Sequence, residues 1–73
     1  MSKTFTTEYR GVEYDLLCHE WPNGWLFDMQ VHREGVPQRR FDDKLFDSYD
    51  AAREHGVAEA QKLIDDLLLN EAP

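Results

Sequence analysis

The sequence predicts an α+β fold of two layers: a three-stranded antiparallel meander covered on one face by a single C-terminal helix. Three observations predict it. The only long helical pattern, about six turns over residues 48–69, follows Phe46-Asp47-Ser48. The residues before it alternate apolar and polar with the period of a strand. Asn23-Gly24 lies between two apolar segments, the strongest short hairpin signal a sequence offers.

The helix is justified by its start and by its stripe. Ser48 is the N-cap, and Asp47 and Asp50 put negative charge at the positive end of the helix dipole. At 100° per residue, Tyr49, Ala52, Gly56, Ala60, Leu63, Ile64 and Leu67 share one face, with Val57 at its edge. Glu54, Ala58, Gln61, Lys62, Asp65 and Asp66 fall opposite. Gly56 in a helix interior costs about 1 kcal/mol relative to alanine. The expectation is that the helix backbone approaches an aromatic of the second strand there. Arg53 falls inside the apolar arc and is expected to snorkel past the sheet edge to an acidic partner. The final turns carry Asp65, Asp66 and Glu71 without a cation. Leu69 points off the stripe, and Leu68 lies at its edge.

The strands follow from the hairpin. With Asn23 and Gly24 as a two-residue loop, Cys18 faces Met29 and Leu16 faces Val31, with Tyr14 and Phe27 on the same inner side. The outer side then pairs Trp21 with Leu26, His19 with Asp28, Leu17 with Gln30 and Asp15 with His32. A second turn near Glu34-Gly35-Val36-Pro37 leads to a third strand at about Gln38 to Leu45. Phe41 and Leu45 are expected inside, and a bulge or early end is expected at Asp43. Phe5 to Tyr9 reads either as a short extra N-terminal strand turning at Arg10-Gly11 or, the reading preferred here, as the beginning of the first strand. The first few residues and Asn70 to Pro73 read as loose ends.

Composition narrows the function. The chain of 73 residues makes one domain, 1–73, and a chain so short buries only roughly 60–65% of its unfolded surface. Its nine aromatic residues (two Trp, three Tyr, four Phe) and 41% hydrophobic content argue against disorder. A single cysteine, Cys18, cannot form an internal disulfide. With neither a signal peptide nor an apolar run of membrane-spanning length, the expected compartment is a reducing cytoplasm, and the compact style looks bacterial. A net charge of −7 repels phosphate backbones.

The candidate chemistry lies on the outer face, where His19 and His32 are each expected to meet an aspartate, Asp28 and Asp15. A histidine oriented by a carboxylate is how a general base is built. In the expected register no serine, threonine or cysteine shares that face, so the pairs read as cross-strand stabilisation and no catalytic residue is assigned. Cys18, His19, His32 and His55 do not converge, because adjacent strand residues point to opposite faces. Neither C-x-x-C nor H-x-x-x-H occurs, and the acidic run Asp42-Asp43, Asp47, Asp50 reads as a solvated loop and helix start. No metal or cofactor is expected. The order of three strands and a helix resembles the later part of a double-stranded-RNA-binding domain in layout only. That domain grips phosphates with a basic helix terminus, and Asp47-Ser48-Tyr49-Asp50 has the opposite sign. The expected protein interface is Leu17, Trp21 and Leu26 on the open outer face, with Leu68 and Leu69 at the helix end.

Tyr9-Arg10-Gly11, the stretch Trp25 to His32, Phe46-Asp47-Ser48, Ala51-Ala52, Gly56, Ala60 and Ile64-Asp65 together resemble a loose set of small uncharacterised bacterial proteins with a β-β-β-α layout. The likeness covers most of the chain and consists of turns, caps and core positions, so it implies a fold and no activity. A weaker similarity is to antitoxin domains of the HicB type, which also place a helix after three strands. The functional expectation is a non-catalytic, acidic protein-interaction module, a homodimer or a small regulatory partner of another protein. The alternative is an antitoxin-like or nucleic-acid-mimicking inhibitor of a basic protein site. Neither nucleic acid nor membrane is an expected partner.

Overall fold

The computed structural model describes residues 1–71, without the side chains of Asp42, Asp43 and Glu71. It is the two-layer α+β arrangement the sequence predicts, with one strand more. β1 (Ser2–Tyr9), β2 (Val12–Trp21), β3 (Gly24–Val31) and β4 (Arg39–Phe46) form an antiparallel sheet in the order β1-β2-β3-β4. The helix α1 (Tyr49–Glu71) lies across it, chiefly over β2 and β3.

The preferred reading of the N-terminus is corrected: Phe5 to Tyr9 is not the start of β2 but part of a separate edge strand that begins at Ser2. Arg10 and Gly11 both have positive φ, 54° and 80°, as a two-residue turn matching the strand twist demands. They fold β1 back so that Tyr9 pairs with Val12 and Ser2 with His19.

The β2–β3 register is also corrected. Trp21 pairs with Gly24, Cys18 with Phe27, Leu16 with Met29 and Tyr14 with Val31, so the loop is Pro22-Asn23. An Asn-Gly loop of the expected type needs positive φ at the asparagine, and Arg10 is the only described non-glycine residue with one. Pro22, fixed near −65°, instead takes the first loop position. Gly24 serves a different purpose, because a Cβ there would stand 2.9 Å from the Phe46 carbonyl oxygen and 3.0 Å from Leu45 Cβ. The slip is by two residues, so every side chain keeps its expected face.

The inner face is the core. Val12, Tyr14, Leu16, Cys18, Trp25, Phe27, Met29 and Val31 of the sheet are buried against Ala52, Ala60 and Ile64 of the helix. The ladder of β4 is irregular between Phe41, opposite Phe27, and Phe46, opposite Trp25, which is the expected bulge. It also overturns one assignment. Leu45 is turned outward and 39% exposed, while Phe46 takes the inner place. Asp42-Asp43, read both within the third strand and as part of a solvated acidic run, lie within β4.

The helix begins as read, with the Ala51 amide donating to Ser48 Oγ at 3.1 Å. Gly56 packs against Leu16, with Phe27 beside it; the neighbour met first is the leucine of β2, not the aromatic of β3. Arg53 finds aromatic faces as well as an acid: its guanidinium lies 5.6 Å from the Phe5 ring and 5.5 Å from that of Tyr49, with Asp50 at 3.6 Å. The cation missing from the last turns is supplied by the β1–β2 turn, from which Arg10 donates to Asp65 at 2.8 Å. The helix continues through Glu71, beyond the expected loose end at Asn70; Ala72 and Pro73 lie outside the described residues. Among the described residues, no helix is long and apolar enough to cross a membrane.

Candidate functional site

The reverse of the sheet is uncovered by the helix, and its alternating outward positions form two polar rows. Across the first, Ser2 Oγ on β1 lies 3.0 Å from His19 Nδ1 on β2. His19 Nε2 is 3.4 Å from Asp28 Oδ2 on β3, and Asp28 Oδ1 is 3.4 Å from Arg40 Nε on β4. Across the second, Asp15 accepts from the Thr6 hydroxyl at 2.7 Å and contacts His32 Nε2 at 2.8 Å, with Glu13 3.3 Å from the other ring nitrogen.

Both expected histidine–aspartate contacts therefore occur, but as diagonals: the residue directly opposite His19 is Leu26, and that opposite Asp15 is Gln30. The expectation that no hydroxyl shares this face is overturned. Ser2, Thr4 and Thr6 arrive with β1, whose pairing places Ser2 beside His19 and Thr6 beside Asp15. The Arg10-Gly11 turn was the signal for them, since counting back from it fixes the β1 register.

The chemistry of the two rows differs. The hydroxyl of Thr6 and the ring of His32 hold the Asp15 carboxyl below its usual range, and Asp15 in turn raises His32. Thr6 donates to the carboxylate rather than to the imidazole, so this row stores charge and gives no path from hydroxyl to base. In the first row Asp28 is 5% exposed and stands equally far from His19 and Arg40, dividing its charge between them. Among the described residues every buried side-chain nitrogen and oxygen has a partner, and no three His, Cys, Asp or Glu side chains converge as metal ligands.

Beside the first row is an open depression of about 360 Å³ lined by His19, Trp21, Leu26, Asp28 and Arg40. Its apolar wall is Trp21, 53% exposed, and Leu26, half-buried. Leu17 is half-buried on the same face one step along β2, opposite Asp28. The N-terminal segment does not cover this surface, because Phe5 and Tyr9 pack toward the core on the helix side. The two remaining interface residues part company. Leu68 packs against the core, and Leu69 stays 75% exposed. Both lie near the Arg10–Asp65 end of the helix, whereas Trp21 lies at the end where Trp25 meets Tyr49, so the five residues do not form one patch.

Cys18 is buried in the core, and burial pushes its thiol up. His55 lies 5.0 Å from the Phe46 ring and 6.0 Å from that of Phe27 and caps the exposed side of that aromatic group. No family model matches the chain, and no curated protein or solved structure matches it.

Proposed function

We propose that this chain is a non-catalytic, acidic protein-interaction module that meets a partner protein, or a second copy, with the outer face of its sheet. One observation carries the reading: a tryptophan left 53% exposed beside Leu26, on a sheet face uncovered by the helix. An indole there contributes large, rigid contact area when a partner covers it, and the Ser2, His19, Asp28 and Arg40 row supplies a polar rim. Asp28, shared between His19 and Arg40, acts as an anchor for that rim rather than as the orienter of a base.

The second reading is an antitoxin-like or nucleic-acid-mimicking inhibitor. The net charge of −7 favours it. Salt separates the two. A complex recovered on tagged protein at about 0.1 M salt and retained at about 1 M is held by apolar contact; one that dissociates over that range is held by charge. Retention is the expected result.

A further inference from the structure

The sheet has two free edges, and they are unlike. The β4 edge is interrupted between Phe41 and Phe46 and carries the exposed cations Arg39, Arg40 and Lys44, devices that discourage strand addition. The β1 edge carries one exposed cation, Lys3, and no interruption. Ser2–Tyr9 contains neither proline nor glycine, and its register against β2 is unbroken over all eight residues. Its only charges, Lys3 and Glu8, cancel, leaving a neutral strip on a chain of net charge −7.

The phase of its hydrogen bonds is also fixed. The Glu20 amide donates to the Met1 carbonyl at 2.8 Å, so odd-numbered residues of β1 bond to β2. Ser2, Thr4, Thr6 and Glu8 turn their backbone groups to the open side. The helix is centred on β2 and β3, so Phe5 and Tyr9 at this edge are only half-buried.

We propose that this edge pairs with the same edge of a second copy, antiparallel about a two-fold axis at Phe5. The product is one eight-stranded sheet with both helices on one face. A two-fold perpendicular to the sheet keeps inner residues opposite inner ones, which leaves axes at Phe5 or at Thr6 as the central choices. At Phe5, Thr4 bonds the partner's Thr6, and Ser2 bonds the partner's Glu8. The two Phe5 rings then meet at a non-hydrogen-bonded position, where backbones come to about 4.5 Å and side chains pack closest. Lys3 stands opposite the partner's Thr7, so like charges of the two strands do not face each other. An axis at Thr6 would instead leave each Phe5 against the partner's Thr7. This pairing deepens the self-association arm of the proposed function but uses neither Trp21 nor Leu26, and it leaves both outer faces open.

Sedimentation equilibrium tests it over about 10–500 µM, the range suited to so small an interface. The wild-type mass is expected to rise toward twice the 8.6 kDa of the chain. Thr4→Pro removes an amide that faces the open edge while sparing the β2 ladder, so it is expected to stay at 8.6 kDa with its circular dichroism and cooperative melt retained. Phe5→Cys is expected to form an intermolecular disulfide under mild oxidation, since the spacing suits one. If Thr4→Pro loses its melt, the disulfide decides alone. A wild-type chain monomeric throughout, a folded Thr4→Pro that dimerises like wild type, or a dimer in which Phe5→Cys does not cross-link overturns the pairing. If Trp21→Ala with Leu26→Asp abolishes the dimer and Thr4→Pro does not, the edge proposal falls while the outer-face reading stands.

Discussion

Gly56 of the helix and Leu16 of β2 are in such close approach that a Cβ on the glycine would stand 2.9 Å from Leu16 Cδ1 and 3.1 Å from Cδ2. Leu16 is fully buried, and Phe27 Cδ2 would stand 3.4 Å from the same Cβ, so there is little room to yield. This contact sets how near the helix lies to the sheet.

Gly56→Leu is therefore expected to destabilise the fold by about 2 kcal/mol or more, since overpacking outweighs the roughly 1 kcal/mol gained in helix propensity. In a domain of this size that lowers the melting temperature by about 10 °C. The loss should shrink when Leu16→Ala is made in the same chain. An unchanged melting temperature in the single variant would remove the close-approach account.

Ser48 Oγ accepts from the Ala51 amide at the start of α1. Ser48→Ala is expected to cost about 1 kcal/mol, measured by urea denaturation, while Ser48→Asp should retain most of the stability.

Asp15 and His32 make stability depend on pH at both limbs. The carboxyl is held low by Thr6 and His32, so its contribution is present above its ordinary value near 3.8 and fades as pH falls through its lowered one. The imidazole is raised by Asp15, so its contribution is complete below its ordinary value of 6.5 and is lost as pH climbs through the raised one. The pair is thus at its strongest between about pH 4 and pH 6.5. Stability of the wild type should fall from pH 6 to pH 8.5, and His32→Gln should flatten that limb. A decline of equal slope in the variant would place its source elsewhere.

Cys18 is buried and its thiol is pushed up by burial, with Arg53 opposing weakly. Alkylation at neutral pH should be slow in the native state and should accelerate across the urea transition in step with circular dichroism. Fast labelling of native protein would show that the β2–helix contact opens locally.

The alternation in β2 and β3, the Ser48 cap and the helical stripe were legible because each is a local pattern that burial then enforces. The β2–β3 register was not, because a slip of two residues keeps every side chain on its face and leaves the hydrophobic pattern equally satisfied. Only the loop chemistry distinguished the two, and Pro22 overrode the Asn23-Gly24 signal. Leu45 and Phe46 exchanged roles because a bulge resets the parity of the strand at a place the pattern does not mark. β1 was the least legible element. Phe5 and Tyr9 are its only strongly apolar residues, so its pairing depends on the Arg10-Gly11 turn. The hydroxyl partners of His19 and Asp15, Ser2 and Thr6, were missed with it.

The interaction reading is tested most directly by comparing what tagged wild-type protein and the Trp21→Ala, Leu26→Asp variant retain, alongside the mass of each by light scattering. Both substitutions lie outside the helix–sheet core, so the melting temperature should hold within a few degrees. The expected result is that a specific protein retained by the wild type, or its self-association, is lost in the variant. Identical retained sets with identical masses would contradict the account.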